Sequence, residues 1–223
     1  MRSVLGIFGG TFDPVHCGHL ELAREVRAAL DLAAVRFIPA GDPPHRAAPV
    51  APAIHRLAMV ELAIAGHPGL EVDTREIARR GRSYTVETLE ELRSEAPSRG
   101  LALIVGADAF LGFPTWRRWQ ELFELAHVVV VARPGVPFDR ALAPPLATEW
   151  AARFRDDASA LEVAPAGSII VQPITAHAIA ASAIRAELAR GAEGIAAVRG
   201  LLPAAVLAYI DRNQLYRSRP DAT

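Results

Sequence analysis

Two histidines, His16 and His19, stand three residues apart in the stretch Gly9-Gly-Thr-Phe-Asp-Pro-Val-His-Cys-Gly-His19. A short apolar run, residues 4–8, precedes them, and an amphipathic run from Leu20 follows. The pattern is strand, glycine turn, helix. Gly9 and Gly10 let the backbone turn sharply and approach a ligand closely. A helix that starts near His19 aims its unpaired N–H groups at the same place, which suits an anion. The G-x-G-x-x-G spacing of a dinucleotide fingerprint is missing. Three readings of the pair compete. They are polar turn residues, two ligands of a metal site with no third ligand nearby, or a phosphate clamp whose N–H donors follow charge onto a phosphoryl oxygen in the transition state. Cys17, between them, has no acid–base partner in the sequence that would make it a nucleophile.

The composition narrows the chemistry. All 24 basic residues are arginine. A Walker A loop and a Schiff-base enzyme both need lysine and are excluded. Any working cation must be arginine or a protonated histidine. The net charge of −1 gives no nucleic-acid footprint. Half the residues are hydrophobic and 22% are charged, as in a folded chain with a sizeable core. The single cysteine rules out an internal disulfide and suits a reducing cytoplasm. No run of about 18 apolar residues suggests a membrane span. The first strand begins within three residues of the N-terminus, which leaves no room for a signal peptide. A homo-oligomer is compatible with all of this.

The elements that must position the histidines alternate along the chain. Residues 4–8, 35–39, 101–106, 127–132 and 168–173 read as short buried strands bounded by Gly or Pro. Residues 19–30, 54–64, 85–96, 117–126, 182–191 and 203–213 carry helical spacing. The alternation predicts an α/β, doubly wound, mostly parallel sheet. Residues 140–167 are the least regular and read as an insertion or a partly helical surface excursion. With no internal repeat and no dividing linker, residues 1–223 read as one domain with a helical C-terminal subregion at about 179–216. In such a sheet the ligand lies beyond the carboxyl ends of the strands, where strand order reverses.

The eleven residues 9–19 resemble the signature of the nucleotidyltransferase superfamily that carries a His-x-Gly-His motif. Further blocks narrow the likeness. Residues 37–46 (FIPAGDPPHR), 83–93 (SYTVETLEELR), 104–135 (IVGADAFLGFPTWRRWQELFELAHVVVVARPG) and 202–216 (LPAAVLAYIDRNQLY) are similar, in order, to bacterial nicotinate-nucleotide adenylyltransferases. The resemblance covers nearly the whole chain and is weakest at 140–167. It implies a Rossmann-like nucleotidyltransferase fold. It also implies adenylyl transfer from ATP to nicotinate mononucleotide, giving deamido-NAD and pyrophosphate.

Residue by residue, the resemblance implies that His16, His19 and Arg185 are catalytic. Gly9, Gly10, Thr11, Phe12, Gly106, Asp108, Ser182 and Arg185 would hold ATP. His45, Arg46, Thr85, Trp116 and Arg133 would hold the mononucleotide. Each has a plainer alternative. Asp108 and Thr85 read as helix N-caps. Trp116 and Trp119 read as core residues that share one face if their helix begins early enough. One block departs from the family, which carries a motif like Ile-Ser-Ser-Thr-x-Ile-Arg. Here residues 179–185 are Ile-Ala-Ala-Ser-Ala-Ile-Arg, so only Ser182 keeps a hydroxyl. Ser182 can cap a helix. Arg185 would then sit in the first turn, where the helix dipole disfavours a cation unless an anion binds there. His55, His67, His127 and His177 receive no role.

The acceptor phosphate is already an anion near neutral pH, so the transfer needs no general base. Mg²⁺ is expected to travel with the ATP phosphates and to need no dedicated protein cage. Rival readings are a sister transferase using nicotinamide mononucleotide or phosphopantetheine, and a non-catalytic nucleotide-binding module. A class I aminoacyl-tRNA synthetase would need a lysine-bearing motif and a basic surface, and this chain has neither.

Overall fold

The computed structural model describes residues 4–42, 48–79, 81–132, 142–175 and 179–217. Six parallel strands form one sheet: β1 (Leu5–Gly10), β2 (Ala34–Pro39), β3 (Leu70–Val72), β4 (Leu101–Gly106), β5 (His127–Ala132) and β6 (Ile169–Pro173). Their order is β3-β2-β1-β4-β5-β6. The chain winds outward from β1 in one direction and from β4 in the other, so strand order reverses between these two neighbours. The expected doubly wound sheet is present. β3 was not anticipated. It has three residues, of which only Leu70 is buried, so it carries almost no periodic signal.

The strands are apolar on both sides because both faces are covered. Phe8, Val35, Phe37, Ile104 and Val129 face one layer. It is built from α1 (Cys17–Ala29), α2 (Ala53–Ile64) and the C-terminal helices α9 (Ala181–Leu188), α10 (Ala192–Ala197) and α11 (Ala204–Arg212). Ile7, Ile38, Leu103, Val128 and Val130 face the other. That layer is built from α4 (Thr85–Glu95), α5 (Ala107–Leu111), α6 (Leu122–Leu125) and α7 (Pro144–Arg153). Alternation of side chains along each strand assigns neighbouring residues to opposite layers. Two short helices complete the described set, α3 (Arg75–Ala78) and α8 (Ala160–Val163). No helix among the described residues is long and apolar enough to cross a membrane.

One expectation is sharpened and another changes. The described part of 140–167 is largely helical, with α7 entered through prolines at its first turn. The helix expected over 117–126 is broken. Phe113–Thr115 and Trp119–Glu121 are separate 3-10 turns, and Arg118 between them is left-handed at φ 53°. Arg118 bonds Glu90 on α4 and Glu121 beyond it, which anchors the irregular turn from both sides. Trp116 and Trp119 therefore share no helix face.

Candidate active site

The site grows from the loop between β1 and α1. Phe12 turns the chain in the left-handed region at φ 49° and buries its ring against Phe8 and Phe37. α1 begins at Cys17, two residues earlier than expected, and His16 is its N-cap in extended geometry. The two imidazoles stack with centroids 3.7 Å apart. The backbone N–H of His16 donates to Nδ1 of His19 at 3.2 Å. A neutral His19 ring therefore carries its proton on Nε2, where it is a donor. Burial pulls the pKa of His16 down to about 4. Burial first, and then His16, hold His19 well below the ordinary imidazole value. At neutral pH both rings are N–H donors rather than cations. Nδ1 of His16 is buried without a hydrogen-bond partner, the only such side-chain nitrogen or oxygen among the described residues. An unpaired buried polar atom costs about 1–3 kcal/mol and is characteristic of working sites.

Long-range polar bonds hold this loop. The Asp13 carboxylate, 6% exposed, accepts from the N–H groups of Val50 and Ala51 and from the Tyr216 hydroxyl, at 2.7, 3.1 and 2.7 Å. Burial and the Asp13 contact push the Tyr216 phenol far above its ordinary pKa, so it remains a donor. Arg185 donates to the Asp13 carbonyl at 2.7 Å, and its guanidinium lies 4.0 Å from the Asp13 carboxylate. Arg185 is the fifth residue of α9, not a first-turn residue. Its position follows from that bond and not from the helix dipole. Ala180 is the N-cap of α9, and Ser182 lies inside the first turn without capping it.

A cavity of about 360 Å³ opens at the carboxyl ends of β1, β2 and β4, where strand order reverses. Gly9, Gly10, Thr11, Asp108, Thr85 and Trp116 all line it. Asp108 lies in the first turn of α5, whose N-cap is Gly106. Thr85 is the first residue of α4, behind the N-cap Tyr84. The N-cap readings of Asp108 and Thr85 are thereby corrected. The free N–H groups at the start of α4 suit an anion near Thr85. The Trp116 ring is seated on Phe113, with centroids 4.8 Å apart. The Arg117 guanidinium lies over the Tyr84 ring at 4.7 Å on the cavity rim.

The expected residues thus fall into two groups. Gly9, Gly10, Thr11, Asp108, Thr85 and Trp116 line the cavity. Phe12 and His16 stand on the loop that leaves it at Thr11, His19 lies in the first turn of α1, and Arg185 reaches the loop from α9. Gly106 ends β4 and Ser182 sits on α9, and neither lines the cavity. His45, Arg46 and Arg133 lie outside the described residues.

Four residues at the site were not anticipated: Asp13, Arg56, Glu76 and Tyr216. Glu76 lines the cavity and accepts from the Thr88 hydroxyl at 2.7 Å, and burial raises its carboxyl above the usual range. Arg56 is 1% exposed on α2. No group of three His, Cys, Asp or Glu that could hold a metal ion occurs among the described residues.

Comparison with known proteins agrees with this geometry. A family model described as cytidylyltransferase-like matches residues 7–187. A protein of Dechloromonas aromatica (strain RCB) named "Probable nicotinate-nucleotide adenylyltransferase" is 49% identical over 220 residues, covering 98% of this chain and 100% of the relative. One of the same name from Laribacter hongkongensis (strain HLHK9) is 49% identical over 223 residues, covering 99% and 98%. Among solved structures, the Plasmodium falciparum nicotinic acid mononucleotide adenylyltransferase complexed with NaAD shares the fold. Its TM-score is 0.72 at 15% identity, over 96% of this chain and 98% of that one. Since the family model covers most of the chain and the relatives match it almost end to end, the chain belongs to the cytidylyltransferase-like family and, within it, to the nicotinate-nucleotide adenylyltransferases.

Proposed function

We propose that this chain transfers the adenylyl group of ATP to nicotinate mononucleotide, giving deamido-NAD and pyrophosphate in NAD biosynthesis. The observation that carries the reading is the cavity at the strand-order reversal. Its lining includes Gly9, Gly10, Thr11 and Asp108 as well as Thr85 and Trp116. The first set suits ATP and the second a pyridine mononucleotide, so two substrates would meet in one crevice. The relatives' names and the family match support the same reaction.

In this reading an oxygen of the mononucleotide phosphate attacks the α-phosphorus of ATP in line. One P–O bond forms as the bond to pyrophosphate breaks. His16 and His19 act as neutral N–H donors to the oxygens that gain charge, and a well-placed donor of this kind contributes about 3–4 kcal/mol. Arg185 adds a cation beside them. Ser182, Gly106 and Phe12 complete the ATP side, and His45, Arg46 and Arg133 the mononucleotide side. Mg²⁺ bound to the ATP phosphates would neutralise charge as the two polyanions meet. The chain works as a single catalytic domain. Its C-terminal helices share a core with β1 and α1, and Tyr216 reaches the catalytic loop.

The test is pyrophosphate release from ATP and Mg²⁺ with nicotinate mononucleotide, nicotinamide mononucleotide or phosphopantetheine. A carboxylate presents two acceptors to the N–H groups at α4, whereas an amide presents an NH₂ donor to them. The acid form is expected to be favoured by at least about tenfold in kcat/KM. Equal efficiencies, or a preference for the amide, would overturn the substrate assignment.

A further inference from the structure

Arg56 projects from α2 into the interior and spends its guanidinium on backbone alone. Nη1 donates to the Thr11 carbonyl at 2.7 Å, Nη2 to the Gly41 carbonyl at 3.1 Å, and Nε to the Ala51 carbonyl at 3.2 Å. These carbonyls belong to three separate segments. Thr11 is the first residue after β1 and lines the cavity. Gly41 follows the end of β2, the strand paired with β1 along its whole length. Ala51 leads into α2. The two cavity-side segments thus leave neighbouring strands at the same edge, and one planar fork spans them.

The arrangement is costly on its own terms. Burial opposes the charge of Arg56, and the nearby Asp13 carboxylate and Tyr216 offset part of that cost. The three bonded carbonyls hold the fold as well, so turnover and unfolding must be read side by side. Gly41 is held on its other side too. A side chain there would collide with the Glu76 carbonyl, so the backbone at this point has one place to be. A second arginine in the same layered fold provides a control. Arg93 on α4 also gathers backbone carbonyls, those of Arg99, Leu125 and Pro165 at 2.6, 2.6 and 2.9 Å. These residues precede β4, β5 and β6, at the opposite edge of the sheet, far from the cavity-lining residues.

We propose that Arg56 is a positioning residue for adenylyl transfer. Through the Thr11 and Gly41 carbonyls it fixes the ATP-side loop against the segment that follows β2, and so sets the distance and angle of in-line attack. The inference rests on the transfer reaction argued above. It assigns Arg56 no contact with either substrate. A misplacement of about 1 Å at a reacting centre can cost about 10²-fold in rate. Lysine retains the charge but cannot reproduce a fork that reaches three carbonyls.

The experiment compares wild-type protein, Arg56→Lys and Arg93→Lys in steady-state kinetics with ATP and nicotinate mononucleotide, alongside thermal unfolding. Arg56→Lys is expected to lose about 10²-fold in kcat, with both KM values within about threefold of wild type. Arg93→Lys is expected to melt earlier and to keep its kcat. The inference is overturned if Arg56→Lys keeps kcat within threefold. It is equally overturned if the loss falls on KM alone, or if Arg93→Lys loses kcat to the same extent. Should Arg56→Lys fail to fold, Arg56→Ala titrated with methylguanidinium decides. Saturable return of turnover supports the inference, and no return overturns it. A wild-type protein that releases no pyrophosphate with any pyridine mononucleotide would sink the reaction itself, which is a different result from an active wild type indifferent to Arg56.

Discussion

The two edges of the sheet use the same residues to different ends. At the amino edge, where β4, β5 and β6 begin, His127 is fully buried with both ring nitrogens occupied. Nδ1 accepts the Ser168 N–H at 3.1 Å, and Nε2 lies 2.9 Å from the Ala164 carbonyl. At the carboxyl edge His16 is almost as buried, yet its Nδ1 has no partner. Arg93 and Arg56 form a parallel pair, each collecting carbonyls, one behind the strands and one in front of them. At one edge both nitrogens of the buried histidine are paired, and at the other a single imidazole nitrogen is left without a partner. Buried groups left unsatisfied lower stability, and a fold tolerates them where binding or catalysis uses them.

The largest expected effect lies at the carboxyl edge. His19→Ala should lower kcat by two to three orders of magnitude, about 3–4 kcal/mol of transition-state stabilisation. The Nε2–H that it removes is the donor fixed by the His16 N–H bond to Nδ1. ATP affinity should change far less, and the unfolding midpoint should fall modestly, because the His16 N–H loses its acceptor and the ring its contacts with Phe8 and Phe12. Single-turnover kinetics beside direct ATP binding would check this. Near-normal turnover would mean that the histidine pair is structural, like His127.

The next effect is a pH dependence with a defined sign. An exposed imidazole titrates near 6.5, and His16 in the folded protein titrates near 4. Between these values the unfolded chain binds the proton and the folded protein does not. Stability is therefore complete above about pH 6.5 and is lost as pH falls toward 4, where the slope flattens. His16 alone accounts for about 3 kcal/mol of this change. His19, also lowered by burial, adds to it with the same sign. Urea unfolding at a series of pH values should show the decline, and His16→Gln should make it shallower. An unchanged slope would remove the evidence that the carboxyl edge is electrostatically strained.

Much of the fold was legible because its signals are local. Five of six strands are short, mostly apolar runs, and the loop 9–19 carries its glycines and histidines within eleven residues. What could not be read is what joins distant residues. Asp13 and Tyr216 are 203 positions apart, and nothing in either neighbourhood announces the bond. With Ser182 as the cap, the sequence puts Arg185 in a first helical turn. In the structure α9 starts at Ala181 behind an alanine cap, and the arginine belongs to the second turn. Arg56 is the instructive miss. Arg56, Met59, Val60 and Ala63 recur at i, i+3, i+4 and i+7 and are all buried, so helical spacing already set a charge on the core face of α2. A cation on an apolar stripe is a signal that periodicity can deliver. β3 offered no such signal, being three residues long with one side chain inside.

The smallest effect distinguishes two tryptophans only three residues apart. Trp116 lines the cavity with its ring tilted on Phe113. Trp119 meets Phe123 edge-on, with centroids 6.1 Å apart, and lines no part of the cavity. The left-handed turn at Arg118 separates them, and only Trp116 reaches the cavity. Each aromatic contact contributes about 0.5–1.5 kcal/mol to stability beyond area burial. Trp119→Ala should lose that contact as well as buried area. It should melt earlier while KM for the mononucleotide stays as in wild type. Trp116→Ala should lose its Phe113 contact too, so the two variants are told apart by KM. Its KM should rise for the acid and the amide mononucleotide alike, since stacking serves the pyridine ring and not its substituent. The order of preference between the two acceptors should therefore survive. Kinetics with both mononucleotides on both variants would decide it. A KM effect shared equally by Trp116→Ala and Trp119→Ala would erase the distinction between a ring that waits for substrate and one that closes the core.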